Sequence, residues 1–316
     1  MKHKAYAPAS IGNVSLGFDV LGAALAPVDG SPLGDTVELS TSEAFNLSVA
    51  GPFAHKLPAD SDTNIVTRCY HYFHEQLAKR NVQATHAALV LNKNLPIGSG
   101  LGSSASSVVA ALHGLNVHYG SLFSDDELLL MMGELEGQIS GSVHYDNVAP
   151  CFLGGLTLMV LQGERIATRL PVIEDWFWVV CYSGISVSTA AAREILPKQF
   201  DMATVLSFGR QLAVFVDALH RNDADAAAAM IQDVIAEPYR KSLLPHFDQS
   251  RDFALQHGAK AFGISGSGPT VFAVCPDESS AQQISGWLSE HYIQNQDGFS
   301  HVCKLSSEGS TVIEET

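Results

Sequence analysis

The sequence is poor in charge, and most of the charge it carries is negative. Charged residues make up 16% of the 316 residues, and 18 lysines and arginines stand against 33 aspartates and glutamates, which gives a formal net charge of −15. The basic residues are scattered, with only short pairs such as Lys79–Arg80. Such a chain lacks the polybasic surface by which proteins bind nucleic acid or an anionic membrane. We therefore expect neither as a partner.

Cysteine is also scarce, and long apolar runs are lacking. The five cysteines are widely spaced and include no Cys-x-x-Cys pair, which argues against a disulfide framework or a zinc site. Cys181 and Cys275 lie in apolar runs, as small core residues do. No uninterrupted apolar run reaches the ~18 residues of a membrane helix. Pro8 and Asp19 interrupt any signal-peptide core after the basic start. We expect a soluble protein of the reducing cytoplasm.

Apolar residues make up 46% of the chain, which is enough for a globular core. At roughly 150 residues per domain, the length predicts two domains. Strand-like and helix-like runs mix throughout, which indicates an α/β or α+β protein. A polar stretch from Gly163 to Asp175 favours a boundary near residue 165, between 1–165 and 166–316. The predicted strands are 36–40, 87–91, 156–161, 177–182 and 270–275, and the predicted helices are 64–79, 104–118, 125–138, 204–221, 224–236 and 248–257.

One helix start is well marked. Ser124-Asp125-Asp126-Glu127 has the pattern of a capping box, and the apolar residues after it recur as one helical stripe. At ~100° per residue, Glu136 lies about 80° from the centre of this stripe and Glu134 about 120°. We predict that Glu136 lies at the edge of a buried face and Glu134 at the surface. A solvated flank carboxylate is the alternative for Glu136.

The most informative segment runs from Pro96 to Ala105 and reads PIGSGLGSSA. It joins a predicted strand to a predicted helix, an arrangement in which glycine amides and the helix dipole bind phosphate. Ser103 and Ser104 are predicted to cap the helix and to offer hydroxyls to phosphate or magnesium. The lysine of a Walker A motif is missing, and the strictly alternating glycines do not fit the dinucleotide fingerprint. A surface loop before a serine-capped helix is the alternative.

A second glycine loop runs from Gly263 to Thr270 and precedes the apolar run 271–275. A tight turn before a strand would explain it alone. Two such loops in one chain favour backbone lining of an anionic site from two sides.

These loops resemble the signatures of the GHMP kinase superfamily. Pro96 to Ala105 matches every fixed position of its motif Pro-x-x-x-Gly-Leu-Gly-Ser-Ser-Ala, and the third motif matches from Gly263 to Thr270. The stretch from Tyr6 to Gly22 resembles the homoserine kinase version of the first motif, Asn-x-x-x-Gly-Phe-Asp-x-Leu/Val-Gly, with Gly12 where many members have alanine. The stretches 136–150, 188–193 and 237–240 are also similar to homoserine kinases.

The resemblance implies a two-domain α+β fold, with an N-terminal nucleotide-binding domain (1–165) like the second domain of ribosomal protein S5 and a ferredoxin-like C-terminal domain (166–316). It implies ATP- and Mg²⁺-dependent phosphorylation of the L-homoserine hydroxyl to O-phospho-L-homoserine in threonine biosynthesis, and a homodimer.

The resemblance also implies the residues of the site. For the nucleotide they are Asn64, Lys93, Pro96, Ile97, Gly98, Ser99, Gly100, Leu101, Gly102, Ser103, Ser104, Ala105 and Ser106. For magnesium they are Ser104 and Glu136. For the substrate they are Asn13, Asp19, His144, Asn147, Thr189, Arg193 and Arg240, of which Asn147 and Arg193 are assigned to catalysis.

The charged residues of this set suit a zwitterion. The guanidinium groups of Arg193 and Arg240 can form bidentate hydrogen bonds with a carboxylate, and Asp19 can pair with an ammonium. Each has a plainer alternative: a surface ion pair for either arginine, a structural hydrogen bond for His144, a helix cap for Asn64 and a loop charge for Lys93.

Two interpretations remain for the proton of the substrate hydroxyl. Asp146 is a candidate general base. The interpretation we favour has no dedicated base: Asn147 orients the hydroxyl and the γ-phosphate receives the proton.

Three rival functions stay open. They are a GHMP kinase with another small alcohol as substrate, a catalytically silent relative that senses a small molecule, and a serine hydrolase. Against the last, Gly266-Ser267-Gly268 precedes a strand and does not form a strand-to-helix nucleophile elbow.

Overall fold

The structure is a computed structural model that describes residues 2–58, 60–140, 143–162 and 165–315. The strands in these ranges are β1 (Lys2–Pro8), β2 (Ser10–Gly12), β3 (Leu21–Pro27), β4 (Gly34–Ser42), β5 (Asn46–Ala50), β6 (His86–Asn92), β7 (Leu156–Gln162), β8 (Arg165–Leu170), β9 (Phe177–Tyr182), β10 (Ala261–Ile264), β11 (Val271–Cys275), β12 (Phe299–Leu305) and β13 (Thr311–Glu315). The α-helices are α1 (Ile65–Lys79), α2 (Ser103–His118), α3 (Asp125–Ser140), α4 (Val148–Leu153), α5 (Thr189–Glu194), α6 (Met202–His220), α7 (Ala224–Met230), α8 (Glu237–Arg240), α9 (Phe247–Gln256) and α10 (Glu278–His291).

A five-stranded sheet in the order β13-β1-β4-β6-β5 supports the glycine loop. Its strands alternate buried and less buried residues, as strands covered by helices on one face do. Helix α2 lies against β1 and β4 because small residues meet there: a Cβ at Gly114 would lie 2.6 Å from Leu39 Cδ1 and 3.1 Å from Ala5 Cβ. Because α2 is held so closely, its N-terminus has a defined place at the end of the sheet.

A second sheet has the order β10-β11-β9-β12-β3-β7-β8, and β2 pairs with β3 beside it. All of its pairings are antiparallel. Its two faces belong to separate apolar clusters, one that includes Trp178 and Phe215 and another that includes Ile284 and Phe262. Strand β13 then returns to pair with β1 in the first sheet.

Each of the five predicted strands coincides with or lies within a strand, apart from Thr270, which precedes β11. The predicted helices also form, but the helix predicted over 224–236 is wrong in its length. Helix α7 ends at Met230, and the following chain is held in a turn before α8, in which the Asp233 carboxylate accepts backbone hydrogen bonds from Ile235 (2.7 Å), Ala236 (2.7 Å) and Glu237 (3.0 Å). Aspartate favours such side-chain-to-backbone turns over a helix interior.

The five cysteines are free and buried, as predicted for Cys181 and Cys275. Helix α6 is an unexpected feature, since it alone among the helices of the described residues is long and apolar enough to cross a membrane. It contains Arg210 and Asp217, and length and composition in a single helix are weak evidence for a membrane span.

Candidate active site

A cavity of about 840 Å³ lies along the glycine loop. The residues named from the sequence that line it are Asn13, Asp19, Asn64, Lys93, Ile97, Gly98, Ser99, Gly100, Gly102, Ser103, Ser104, Glu136, His144, Asn147, Thr189, Arg193 and Arg240. The structure does not bring Pro96, Leu101, Ala105 or Ser106 to its wall. Ser106 is committed elsewhere, because its hydroxyl donates to the Ala7 carbonyl (2.7 Å) and accepts from the Asp35 amide (2.9 Å).

The three alternating glycines of the loop adopt left-handed conformations, with φ of 65° at Gly98, 80° at Gly100 and 63° at Gly102. Residues with a Cβ rarely adopt this conformation, which explains the strict alternation. Gly102 is the N-cap residue of α2, and within the described residues no side chain caps that helix. The first-turn amides of α2, beside the cavity, therefore suit an anionic ligand.

The predicted serine caps are wrong. The Ser103 hydroxyl donates to the Leu95 carbonyl (3.1 Å), and the Ser104 hydroxyl donates to Glu136 Oε2 (2.7 Å). Both serines already lie inside α2, so their side chains cannot accept from the N-terminal amides as a cap residue would.

The second glycine loop lies directly against the first. The Thr270 amide donates to the Ser99 carbonyl (3.1 Å), and the Ser265 hydroxyl donates to the Gly100 carbonyl (2.6 Å). Gly266 and Ser267 also line the cavity. The second loop therefore both supports the first and contributes to the cavity wall.

Lys93 is a buried structural cation and not the loop charge considered as an alternative. Its ammonium forms an ion pair with Asp35, and the two side chains are 3% and 0% exposed. Lys93 also donates to the Ser103 carbonyl (2.8 Å), and Asp35 accepts from the Leu95 amide (3.0 Å). The ion pair therefore connects Leu95, just before the glycine loop, to Ser103 at the start of α2.

Asn64 is the N-cap of α1, which is the alternative role considered for it from the sequence. Its side chain accepts from the Val66 amide (2.9 Å) at the start of α1, and the residue also lines the cavity. Capping and contact with a ligand are compatible, because the carboxamide nitrogen is not used in the cap.

Glu136 lies at the buried edge predicted from its helix face. It is 8% exposed, whereas Glu134 is exposed and accepts a hydrogen bond from Tyr72. Burial raises the pKa of Glu136, and the hydrogen bond from Ser104 partly opposes this shift. The capping box before it also forms, with the Ser124 amide donating to Glu127 Oε2 (2.9 Å). A hydroxyl and a carboxylate joined in this way at the start of α2 form an oxygen donor set that fits Mg²⁺.

A carboxylate and a guanidinium form an ion pair in another part of the cavity wall. Arg193 Nη2 lies 2.8 Å from Asp19 Oδ1 and 2.9 Å from Oδ2. Asp19 has a left-handed backbone with φ of 56°, and its amide donates to Asn13 Oδ1 (2.9 Å). Asn13 thereby supports a strained conformation that aims the Asp19 carboxylate at Arg193.

Arg240 is buried beside this pair, at 3% exposure. Its Nε donates to the Ala192 carbonyl (2.9 Å), and its Nη1 donates to the Gly266 carbonyl (3.1 Å). The guanidinium carbons of Arg240 and Arg193 lie 5.3 and 5.6 Å from the ring centroid of Phe18. Burial lowers the pKa of Arg240, with the charge of Asp233 opposing the shift. A buried, fixed guanidinium is not the surface ion pair considered as its alternative.

His144, Asp146 and Asn147 form a connected polar group. His144 Nδ1 lies 3.1 Å from Asp146 Oδ1, and Asn147 Nδ2 donates to Asp146 Oδ2 (3.3 Å). His144 Nε2 is buried and has no hydrogen-bond partner among the described residues. Burial lowers the pKa of His144, but the hydrogen bond and negative charge of Asp146 outweigh this and raise the pKa overall. Asp146 therefore stabilises the protonated form of the His144 ring relative to an isolated imidazole.

Sequence reasoning missed two residues that hold this group. Ser10 donates to Asn147 Oδ1 (2.9 Å), and its partner is far away in the chain. Gly12 leaves room for both side chains, because a Cβ there would lie 2.6 Å from Asp146 Oδ2 and 2.7 Å from Asn147 Nδ2. The departure from alanine at Gly12 was the available signal.

Comparison with known proteins identifies the family of the chain. Residues 64–155 match the GHMP kinases N terminal domain, and residues 215–294 match the GHMP kinases C terminal domain. A homoserine kinase from Cytophaga hutchinsonii is 33% identical, with a TM-score of 0.88 over 99% of this chain and 97% of that one. A putative homoserine kinase from Listeria monocytogenes (24% identity, full coverage, TM-score 0.73) and a mevalonate kinase (15%, 98% of this chain and 100% of that one, TM-score 0.70) share the fold.

The chain therefore belongs to the GHMP kinases, a family of phosphotransferases, and has their two-domain α+β fold. Within that family it is similar over nearly its whole length to homoserine kinases.

Proposed function

We propose that the protein transfers the γ-phosphoryl group of ATP to the side-chain hydroxyl of L-homoserine, giving O-phospho-L-homoserine for threonine biosynthesis. One observation carries this proposal: the paired Arg193 and Asp19 and the buried Arg240 line the same cavity as the glycine loop. A zwitterionic alcohol meets both signs of charge at that end, and its hydroxyl can then approach the phosphates at the other.

The chemistry needs positioning and charge neutralisation more than covalent participation by the protein. Amides of the glycine loop and of the first turn of α2 would hold the phosphates. Ser104 and Glu136 would hold Mg²⁺, which supplies neutralisation of phosphate charge when it is bound. Arg193 and Arg240 would bind the carboxylate of the substrate, and Asp19 its ammonium.

Orientation without a dedicated base remains our proposal for the proton. Asp146 is 3% exposed, and its two carboxylate oxygens are engaged by His144 and Asn147. Asn147 is held in turn by Ser10. This favours Asn147 as the residue that orients the substrate hydroxyl, with the proton passing to the transferred phosphate.

The direct test is ADP release from Mg²⁺-ATP with L-homoserine, mevalonate, galactose, L-serine or no acceptor. We expect ADP with L-homoserine and little with the other acceptors. ATP binding without turnover of L-homoserine would contradict the proposed acceptor. Labelling by a serine-reactive phosphonate would favour the hydrolase.

We expect Glu136→Gln to lower kcat by roughly 100-fold, because it keeps the hydrogen-bonding shape but removes the charge that would hold Mg²⁺. Glu134→Gln, two residues away on the exposed face, is the matched control and should stay near the wild-type rate. A Mg²⁺ titration of each variant checks the cause. Equal behaviour of the two variants would argue against Glu136 as a magnesium ligand.

We also propose that a second copy of the chain covers α6 in a homodimer. Met202, Val205 and Leu206 on this helix are 71%, 51% and 54% exposed, although the helix is strongly apolar. Leu206→Glu should convert a dimer into a monomer in light scattering coupled to size-exclusion chromatography. Leu255→Glu, at a leucine 45% exposed on α9, should leave the mass unchanged. A wild-type monomer would refute the dimer.

The proposed compartment is the cytoplasm, in agreement with five unpaired thiols.

A further inference from the structure

Four lysine and arginine side chains line the cavity within the described residues, and three of them have partners there. Lys93 pairs with Asp35, and Arg193 pairs with Asp19. Arg240 donates to two backbone carbonyls. The fourth, Arg68, has no hydrogen bond, ion pair or aromatic contact in the described part of the chain, and it is exposed. One guanidinium at the cavity is therefore uncommitted.

The position of Arg68 follows from α1. It lies one helical turn after Asn64, which also lines the cavity. One turn further on, Tyr72 donates to Glu134 of α3, so α1 and α3 are neighbours at that level. Gln138, one turn after Glu134, lines the cavity with Arg68. Arg68 is therefore on the rim formed by the start of α1 and the end of α3.

This rim is close to the phosphate-binding end of the cavity. Glu136, two residues before Gln138 on α3, lines the same cavity, and its carboxylate accepts from Ser104 in the first turn of α2. Arg68 thus lines the same cavity as Ser103 and Ser104 in that turn.

A free cation at this rim could offset negative charge during the binding of a nucleotide. Asp19, Glu136 and Asp146 line the cavity, and the chain has a net charge of −15. The net negative charge of the chain disfavours the approach of a nucleoside triphosphate. The cation of Lys93 is already neutralised by Asp35, and those of Arg193 and Arg240 lie at the zwitterion end. A guanidinium that is free to move can form the bidentate contacts with phosphate for which arginine is suited.

We propose that Arg68 is a nucleotide-binding residue that contacts phosphate oxygens of the bound nucleotide. The inference rests on the proposed use of ATP and adds a residue that none of the glycine motifs contains. Arg68 would move onto the phosphates when nucleotide enters.

The test compares Arg68→Gln, Arg68→Lys and wild type by calorimetric titration with ATP, ADP and adenosine. Lys79→Gln, at an exposed cation near the end of α1, is the control for the loss of one charge. For Arg68→Gln we expect ATP and ADP to bind ~10-fold more weakly, as for loss of a charge-assisted hydrogen bond, with adenosine binding unchanged. Arg68→Lys should recover part of the affinity, and the KM for L-homoserine should not change.

Two results would overturn the inference. One is unchanged ATP affinity in Arg68→Gln, and the other is an equal loss for adenosine, which would assign Arg68 to the base or ribose. Because binding is measured without an acceptor, weaker ATP binding in Arg68→Gln would support the inference even if L-homoserine proved not to be phosphorylated. A wild-type protein that binds no ATP would overturn both proposals.

Discussion

Asp19→Asn is expected to lower kcat/KM for L-homoserine by roughly 100-fold, about the cost of leaving a bound ammonium without its charged partner. Asp19 and Arg193 form an ion pair with 2.8 Å between Nη2 and Oδ1. A zwitterion can replace that pair at little electrostatic cost, because its carboxylate takes Arg193 while its ammonium takes Asp19. An acceptor that lacks the ammonium would separate the pair and leave Asp19 unpaired.

A more specific test of Asp19→Asn is its selectivity between acceptors with and without an ammonium group. With 4-hydroxybutanoate, which has the carboxylate and the hydroxyl but no ammonium, Asp19→Asn should retain or improve the activity of wild type, because Arg193 is released from its internal partner. Asp248→Asn, at an exposed ion pair with Lys241 outside the cavity lining, should change neither activity. Equal losses with both acceptors would mean that Asp19 supports the loop and does not recognise an ammonium.

Gly100→Ala is expected to abolish measurable ATP binding and to destabilise the fold. Gly100 has φ of 80°, and a Cβ there would lie 2.4 Å from the Ser265 carbonyl oxygen and 2.9 Å from that of Gly268. These obstacles are backbone atoms, so no side-chain rotation can relieve the clash. The two glycine loops would have to separate, and the amides of the first loop would lose their arrangement.

Gly120→Ala is the control for the effect of placing alanine at a positive φ without any steric clash. Gly120 has a similar φ of 89°, but a Cβ there would meet nothing within 4 Å. This control should lose about 1 kcal/mol of stability and keep its ATP affinity. Thermal unfolding and ATP titration of both variants make the comparison. Equal effects of the two substitutions would show that contact between the loops does not support nucleotide binding.

The parts of the site predictable from sequence are those governed by local rules. The capping box at Ser124 marks where α3 begins, and the apolar stripe after it shows which face of the helix is buried. From these two features the sequence predicts that Glu136 is buried and Glu134 is exposed, as the structure has them. Alternating glycines likewise indicate a left-handed backbone, which glycine adopts most readily, and the structure has this conformation at Gly98, Gly100 and Gly102. Such features depend on residues a few positions apart, so a single sequence contains the needed information.

The parts that sequence reasoning missed depend on contacts between distant segments. Asp35 supports Lys93 from a strand 58 residues away, and Ser10 holds Asn147 across 137 residues. No local pattern distinguishes either residue from an ordinary polar residue at a strand end. The serine caps failed for a different reason, since the left-handed backbone of Gly102 takes the cap position and shifts both serines into the helix.

The order of strands in the first sheet has a consequence for synthesis on the ribosome. Strand β13 pairs with β1 along residues 2–6, so one edge of the first sheet is completed by residues 311–315. Until those residues emerge, the outer edge of β1 lacks its native partner, although β1 is made first. The nascent chain therefore carries an open strand edge while residues 9–310 are made, and open edges invite pairing with other chains. Capture of stalled nascent chains by a chaperone should end when β13 leaves the exit tunnel.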